Sequence, residues 1–309
     1  MRILFTADWH IKLKQKNVPK EWQINRYNLL FNKLHELEDL VDIIIIGGDI
    51  FDTVPSMEEL SLFFKYISET KIQHIIFDGN HEATKKGQTF LHHLDSICSK
   101  LSNTIILKEP TSMFNIDFIP YTHIKSFSPK DFYNKILCTH VRGEIKPHVK
   151  PEIDLTKLTR WNLVLAGDLH SYSNSQRNIV YPGSPLTTSF HRSEVSNGVL
   201  LCDTESLEYE WVDLELPQLL RKTVKSTDEI VETDYHHTIY EIKGNVLELS
   251  KVDTSNKLLD KKVINKSSKS TLNMHDLSII EELSLYLEKI VGLEKGDIQD
   301  ILKVYHDYT

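Results

Sequence analysis

The chain has 309 residues, 40% of them hydrophobic and 26% charged, and a formal net charge of −8 at pH 7. This composition is typical of a globular protein of about two domains, and it excludes collagenous, low-complexity and small disulfide-rich proteins. The acidic excess lies in residues 201–309, which argues against a protein that coats nucleic acid tightly and without sequence preference.

The sequence also predicts a cytoplasmic protein. The longest aliphatic run near the start, Ile43–Ile46, is far shorter than the roughly 20 residues of a membrane span, and Asp8 interrupts any signal-peptide core. Three widely separated cysteines without a CxxC pair predict buried, reduced thiols, so neither a disulfide framework nor a thiolate zinc site is expected.

Short aliphatic runs alternate with segments of helical period through the first two hundred residues, which predicts a layered α/β domain. Strands are predicted near Ile3–Ala7, Ile43–Ile46, Ile75–Phe77, Thr104–Leu107, Ile116–Ile119, Ile136–Thr139, Leu163–Ala166 and Val199–Cys202. Apolar residues recur at helical spacing in Met57–Thr70 and between Phe90 and Leu101, so these two segments are predicted to be helices that face the core.

The pattern changes after about Thr204. The β-leaning segments Leu207–Val212 and His237–Ile242 predict a small α+β unit, and a lysine- and serine-rich stretch predicts a linker. Leu277–Val291 and Ile298–Tyr305 predict two helices that are broken at Gly292 and Gly296. We therefore expect a main domain at 1–205, a capping domain at 206–264, a linker at 265–274 and a helical tail at 275–309.

Polar side chains follow directly on five of the predicted strands. They are Asp8 and His10, Asp49 and Asp52, Asn80, His81 and Glu82, then His140, and finally Asp168 and His170. Because ligands of α/β sheets gather beyond the carboxyl ends of strands, we expect these side chains to surround one crevice.

The residue types indicate a site for two divalent cations. Carboxylates, imidazoles and an amide suit Mn²⁺ or a similar metal, whereas a structural zinc site would favour cysteines. Two cations about 3.5–4 Å apart need a shared anion, and Asp49 is the expected bridge. The glycines before Asp49 allow the backbone to bend sharply there.

These motifs resemble, in order, those of calcineurin-like metallophosphoesterases: Asp8-x-His10, Gly48-Asp49-x-x-Asp52, Gly79-Asn80-His81-Glu82, His140 and Gly167-x-x-His170. Within that superfamily the chain resembles SbcD-type nuclease subunits, through Gly48–Thr53, through Tyr181–Pro185, and through the small extra domain followed by a helical tail. Its compact length is compatible with a phage-encoded member. The resemblance implies a four-layer αββα sandwich with a smaller α+β capping domain and a C-terminal helical tail.

The resemblance also implies roles for individual residues. It assigns one metal ion to Asp8, His10, Asp49 and His170, and a second to Asp49, Asn80, His140 and residue 168. His81 would protonate the leaving oxygen and Asp52 would orient it. Position 168 departs from the family's usual histidine, because it is an aspartate. Asp168 is therefore either a ligand or a surface carboxylate.

The activity implied by the resemblance is Mn²⁺-dependent cleavage of DNA, with Mg²⁺ as a second candidate ion. The chain would be the exonuclease and endonuclease subunit of an SbcCD-like complex in DNA recombination and repair, with no membrane contact. Its expected partners are DNA, a second copy of itself, and an SbcC-type coiled-coil ATPase bound through the C-terminal helices. It would act in a bacterial cytoplasm, or in the host cytoplasm if it is phage-encoded.

Several alternatives stay open at the level of sequence. The chain could be a phosphomonoesterase or a small-molecule phosphodiesterase of the same superfamily, or a non-catalytic scaffold with a degenerate metal site. Tyr181–Pro185 could be a plain turn or a wall of the site, and Trp9 could pack in the core or stack on a base. The helical tail could dock on the chain's own capping domain rather than on a partner.

Overall fold

The computed structural model describes residues 1–83, 89–101, 103–232, 235–245, 249–253, 255–264 and 277–308. Their contacts divide the chain into two units, residues 1–242 with 253–261, and residues 243–252 with 262–309. Every predicted site residue lies in the first unit. The predicted linker at 265–274 lies outside the described residues.

The first sheet of this unit carries the earliest predicted strands. Its parallel strands are β1 (Arg2–Thr6), β2 (Ile43–Gly47), β3 (Gln73–Phe77) and β4 (Thr104–Ile106). On the other side of β1 lie the antiparallel strands β10 (Gly198–Asp203) and β11 (Tyr209–Asp213), which complete the order β11-β10-β1-β2-β3-β4. The predicted strands of this sheet are confirmed within a residue or two at each end.

The second sheet has the order β5-β6-β7-β8-β9. Its strands are β5 (Thr111–Met113), β6 (Ile116–Ile119), β7 (Ile136–His140), β8 (Leu163–Gly167) and β9 (Ile179–Val180). All neighbours are parallel except β5 and β6. The sequence predicted β6, β7 and β8 but neither β5 nor β9, because two or three residues are too few to show a hydrophobic period.

The two sheets pack face to face through apolar side chains of alternating residues. Ile3, Phe5 and Ile45 of the first sheet lie in one buried cluster with Phe118 and Cys138 of the second. Parallel strands are apolar on both faces because both faces are covered, which explains their continuous aliphatic runs. The predicted layered α/β sandwich is therefore confirmed.

The outer layers of the sandwich differ in kind. Helices α1 (Lys20–Leu37), α2 (Met57–Glu69) and α3 (Leu91–Cys98) pack on the first sheet. The outer face of the second sheet is covered by Phe132, Trp161 and neighbouring residues from short 3-10 turns. Among the described residues, then, only one of the two outer layers is built from α-helices.

Helix α1 was not among the helices predicted by name. Its inner face buries Gln23 and Arg26 among apolar residues, so its hydrophobic period is weak. The Arg26 guanidinium donates a hydrogen bond to the carbonyl oxygen of Thr187, 3.0 Å away, which offsets part of the cost of burying it. Trp9 packs against Phe31 and is almost fully buried, so the base-stacking alternative for Trp9 is wrong.

A third sheet has the order β12-β13-β14. Its strands are β12 (Leu219–Val224), β13 (His237–Gly244) and β14 (Leu259–Ile264), and β12 runs parallel to β13. The expected domain boundary after residue 205 separates β10 from β11, although these two strands pair in the first sheet. The division into a main and a capping domain stays a proposal.

The second unit contains the two predicted helices of the tail. Helix α4 (Ile279–Tyr286) begins at a Ser278–Glu281 capping box and continues as a π-helical segment, Leu287–Val291. Gly292 ends it with a φ of 77°, and helix α5 follows (Lys295–Tyr308). The predicted break at Gly296 is wrong, because Gly296 lies in the first turn of α5, where the N–H groups need no partner within the helix. None of the described helices has the length and apolarity needed to cross a bilayer.

Candidate metal centre

The polar residues predicted to form one site lie on loops that are hydrogen-bonded to one another. The N–H of Asp8 donates to the carbonyl oxygen of Gly48 at 3.0 Å, and the N–H of His10 donates to that of Asp49 at 2.9 Å. The N–H of Asp168, after β8, donates to both carboxylate oxygens of Asp8 at 3.1–3.2 Å. The first loop therefore contacts loops from both sheets.

Four of the predicted ligands have left-handed backbone conformations. The φ angles are 58° at Asp8, 45° at His10, 52° at Asp49 and 99° at Asp168. Such conformations cost about 1–3 kcal/mol each in residues other than glycine, and they persist only where the surroundings impose them. Four of the ten non-glycine residues with positive φ in the described part of the chain are therefore candidate ligands, which supports a functional site at these strand ends.

One group of ligand atoms is formed by Asp8, His10 and His170. The two Nε2 atoms of His10 and His170 lie 3.1 Å apart, and each is 4.0 Å from Oδ1 of Asp8. Oδ2 of Asp49 lies 3.6 Å from Nε2 of His10. The structure thus brings together the four residues that were assigned to one ion.

A second group is formed by Asp49, Asn80, His140 and Asp168. One terminal atom of the Asn80 side-chain amide lies 2.9 Å from Nε2 of His140, 3.1 Å from Oδ1 of Asp168 and 3.2 Å from Oδ2 of Asp49. Carboxylate, amide and imidazole groups therefore converge here, and such groups bind divalent metal ions. A spacing of about 3 Å also suits oxygens bound at about 2.1 Å in an octahedral shell. This donor set therefore fits a divalent metal ion.

Asp49 stands between the two groups. Its Oδ2 atom lies 3.6 Å from Nε2 of His10, and its Oδ1 atom lies 3.6 Å from Nε2 of His140. Gly79 approaches so closely that a Cβ atom there would lie 2.2 Å from Oδ1 of Asp49, so no other residue fits. The Asp49 carboxylate therefore lies within reach of both ligand groups, as a shared ligand of two cations requires.

The two buried histidines of the site, His10 and His140, differ in charge. Nδ1 of His140 donates to the carbonyl oxygen of Gly47 at 2.8 Å, so its Nε2 atom faces the site. Burial opposes its charged form, but Asp49, Asp8 and Asp168 raise the pKa of His140 to about 9. Burial and the neighbouring histidines lower the pKa of His10, so its imidazole is neutral.

Buried carboxylates dominate the charge of the site. Burial, together with Asp49 and Asp168, raises the pKa of Asp8 well above its usual value. Burial and neighbouring negative charges disfavour the ionised form of these carboxylates, and cations bound among them would stabilise it. The raised pKa of Asp8 is therefore a second indication that metal ions fit the site.

Glu82 joins the second and third loops, a role that the sequence did not assign. Its carboxylate accepts the N–H groups of Asp49 at 2.8 Å, Phe51 at 3.1 Å and Gly79 at 2.8 Å. Burial and Asp49 raise the pKa of Glu82 to about 7 despite these three hydrogen bonds. In the sequence, only the position of Glu82 next to His81 after a predicted strand indicated that it could belong to the site.

His81 and Asp52 are in contact, but through the main chain of Asp52. Nδ1 of His81 donates to the carbonyl oxygen of Asp52 at 2.6 Å, and Nε2 lies 3.9 Å from Oδ2 of Asp49. The carboxylate of Asp52 instead pairs with the ammonium of Lys12 at 2.6 Å. His81 also belongs to a group of potential metal ligands with His10 and Asp49, so its role needs an experimental test.

Asp168 lies in the site and is not a surface carboxylate, because its side chain is only 5% exposed. It forms an ion pair with Arg142, a residue that the sequence did not single out. No motif marks Arg142, and its only signal was its position two residues after His140.

The Tyr181–Pro185 segment proves to be a structural support. The Ser184 hydroxyl lies 2.6 Å from the carbonyl oxygen of Asp8, and its N–H donates to the carbonyl oxygen of His170 at 3.2 Å. Ser184 is buried, and the segment therefore ties the loop of Asp8 to the loop of His170.

Comparison with known proteins gives the following matches. A family model described as calcineurin-like phosphoesterase matches residues 1–170. A protein of Escherichia phage T5 named "Probable exonuclease subunit 1" is 43% identical over 326 aligned positions, covering 100% of both chains. A protein of Staphylococcus epidermidis, named as a subunit of the nuclease SbcCD, is 26% identical over 293 positions, covering 78% of this chain and 75% of that protein.

Proposed function

The chain belongs to the calcineurin-like phosphoesterase family, and from this premise we propose that it is the nuclease subunit of an SbcCD-like complex. It hydrolyses DNA phosphodiester bonds with two divalent cations, preferably Mn²⁺, acting as an exonuclease and an endonuclease. The observation that carries the proposal is the position of Asp49, whose carboxylate lies between two ligand groups and within 3.6 Å of a histidine of each. The exonuclease and nuclease names of the two similar proteins support a nucleic-acid substrate.

In this proposal each ligand group holds one ion. Asp8, His10, Asp49 and His170 hold the first, and Asp49, Asn80, His140 and Asp168 hold the second. When bound, the two ions would supply Lewis-acid stabilisation of the attacking and leaving oxygens. The left-handed backbone at four of these residues and the hydrogen bonds of Glu82 keep the ligand atoms in place before any ion binds.

His81 holds the proton for the leaving oxygen. Its Nδ1 atom is committed to the Asp52 carbonyl oxygen, so Nε2 is the atom that faces the reacting phosphate. The side chain is 37% exposed, which lets a substrate approach it, whereas His10 and His140 are buried. A proton delivered from Nε2 would neutralise the oxygen as the phosphorus–oxygen bond breaks.

The first test compares substrates. We expect the purified chain with Mn²⁺ to cut linear duplex and single-stranded DNA, and excess EDTA to stop the reaction, because the carboxylate cluster needs its cations. We expect no turnover of p-nitrophenyl phosphate above that of Mn²⁺ alone. The measurement is gel analysis of labelled DNA beside absorbance of the released nitrophenol. Activity on the monoester alone would show the phosphomonoesterase alternative to be correct.

The helical tail is proposed to bind the partner ATPase. Helices α4 and α5 leave apolar side chains exposed, among them Ile279 at 70%, Ile290 and Val304. A helix pair with such a surface is a common docking element for another helical protein. The word "subunit" in the names of both similar proteins supports a complex with a partner.

Ending the chain at residue 272 is expected to leave basal Mn²⁺-dependent nuclease activity and to abolish co-purification with the ATPase. The double substitution Ile279→Glu with Ile290→Glu should have the same effect, because both side chains are exposed. Lys289→Glu, a charge change on the same segment, is the matched control. If the shortened chain still co-purifies with the ATPase, the tail does not form the interface.

A second copy of the chain is proposed to bind at α2 and α3. Met57, Leu60, Phe64, Ile97 and Leu101 line an apolar groove across these two helices, and Met57 is 79% exposed. Like surfaces of two copies can pair about a two-fold axis, which would cover this groove on both.

Sedimentation velocity is expected to show a dimer of the wild-type chain. Met57→Glu with Ile97→Glu should give a monomer, because it places charge in the apolar groove. Val231→Glu, which changes an exposed valine elsewhere, should leave the dimer intact. A dimer that persists in the double variant would place the interface on another surface.

A further inference from the structure

Arg142 reaches a metal-site carboxylate across two neighbouring strands. His140 at the end of β7 pairs in register with Gly167 of the parallel strand β8, so the residues that follow them emerge side by side. Arg142 lies two residues after His140, and Asp168 lies one after Gly167. Nε of Arg142 is 3.1 Å from Oδ2 of Asp168 and Nη2 is 3.2 Å from Oδ1, so the guanidinium contacts both oxygens.

The main chain around Arg142 is held in place independently of this ion pair. The N–H of Arg142 donates to Oε1 of Glu152 at 3.0 Å, and the N–H of Val141 donates to the carbonyl oxygen of Gly167 at 3.2 Å. The Tyr181 hydroxyl donates to the carbonyl oxygen of Val141 at 3.1 Å. An arginine whose main chain is anchored in this way loses little further freedom when it binds a carboxylate.

Asp168 is in a conformation that needs support. Its φ of 99° is the most extreme among the candidate ligands, and its N–H is taken by the Asp8 carboxylate. Its Oδ1 atom nevertheless faces the site, 3.1 Å from the side-chain amide of Asn80 and 3.9 Å from Nε2 of His140. The bidentate contact with Arg142 holds the carboxylate in this position.

The charges favour the same role. Asp8, Asp49 and Asp168 bring three carboxylates into one buried cluster. Arg142 is the arginine that meets this cluster, with its own side chain 43% exposed. An ion pair at the surface ordinarily contributes little, but here one partner is buried and has a strained backbone.

We propose that Arg142 is a positioning residue of the metal centre: it fixes the Asp168 carboxylate with Oδ1 towards the second ligand group and offsets that carboxylate's charge. The inference rests on the proposed function, because it assumes that the second group holds an ion. Partners that orient a metal ligand in this way commonly change metal affinity by about 10–100-fold when they are removed.

The test is calorimetric titration of the EDTA-stripped full chain with MnCl₂. We expect two Mn²⁺ sites in the wild type, and a site weakened about 10-fold in Arg142→Ala. Asp168→Asn should also weaken this site, and the double variant should bind no worse than Asp168→Asn alone, since Arg142 acts through Asp168. Arg192→Ala, which breaks an arginine–carboxylate pair with Glu241, is the matched control and should bind as the wild type does.

Three outcomes would overturn the proposal. Unchanged or tighter Mn²⁺ binding in Arg142→Ala would mean that the guanidinium does not prepare the site. Additive losses in the double variant would mean that Arg142 acts elsewhere. Fewer than two Mn²⁺ sites in the wild type would contradict the proposed function itself. This outcome is distinct from the other two, which contradict only the role of Arg142. If Arg142→Ala does not fold, Arg142→Lys replaces it; this variant keeps the charge without the two-pronged contact, and wild-type affinity in it would count against the proposal.

Discussion

Replacing Asp49 with asparagine is expected to remove both metal ions and to reduce DNA cleavage by about 10⁴-fold or more. Each ion contributes several kcal/mol of stabilisation to the transition state, and about 1.4 kcal/mol corresponds to a tenfold change in rate. An asparagine is neutral and puts an amide nitrogen where one carboxylate oxygen stood, so both groups lose the shared anion that offsets the repulsion between two cations. The measurement is elemental analysis for manganese beside the nuclease assay.

The Asp49→Asn variant should fold normally. The N–H of His81 donates to Oδ1 of Asp49 at 2.8 Å, and an asparagine oxygen can accept the same hydrogen bond. The variant also removes one negative charge from a buried acidic cluster, so metal-free Asp49→Asn should unfold at the wild-type temperature or above it. Asp39→Asn, at an exposed aspartate, is the control and should behave as the wild type does. Full manganese content in Asp49→Asn would contradict a shared bridging ligand.

His81→Asn is expected to lower DNA cleavage by about 10²–10⁴-fold, the usual contribution of a general acid, while two Mn²⁺ ions still bind. The reason is geometric: Nδ1 is held by the Asp52 carbonyl oxygen, and Nε2 is the exposed proton carrier. The measurement is single-turnover cleavage together with manganese content. A nitrophenolate leaving group needs no protonation. The His81→Asn substitution should therefore slow cleavage of a substrate with this leaving group much less than it slows cleavage of DNA.

The control for His81→Asn is His93→Asn, which changes an exposed histidine on α3. Loss of manganese from His81→Asn would show that His81 is a metal ligand, as its proximity to His10 and Asp49 allows. The assigned proton transfer would then be wrong, although the dimetal centre would stand.

Together the two variants separate the rival functions. A non-catalytic scaffold predicts that neither substitution changes cleavage, because no cleavage occurs. A phosphomonoesterase predicts that Asp49→Asn impairs turnover of p-nitrophenyl phosphate and that neither the wild type nor a variant cleaves DNA. The proposed nuclease predicts loss on DNA in both variants and loss of metal in Asp49→Asn alone.

The sequence determined the strands and the identity of the site. Parallel strands covered on both faces must be continuously apolar, so a polar group that follows such a run stands out. Asp8, Asp49, Asn80, His140 and Asp168 were found in this way, and the structure brings all of them together. The order of the motifs along the chain then indicated the family.

Tertiary structure alone decided how these residues are supported. Helix α1 was not predicted because its inner face carries a buried arginine, Arg26, whose guanidinium donates to the carbonyl oxygen of the distant Thr187. Three further contacts join residues that are far apart in the chain. They are the pair of Lys12 with Asp52, the hydrogen bond of Ser184 to Asp8 and the ion pair of Arg142 with Asp168. A hydrophobic period and a strand end are local properties that a sequence displays directly. A hydrogen bond between residues far apart in the chain is fixed only when the strands and loops pack in the folded protein, which no local pattern records.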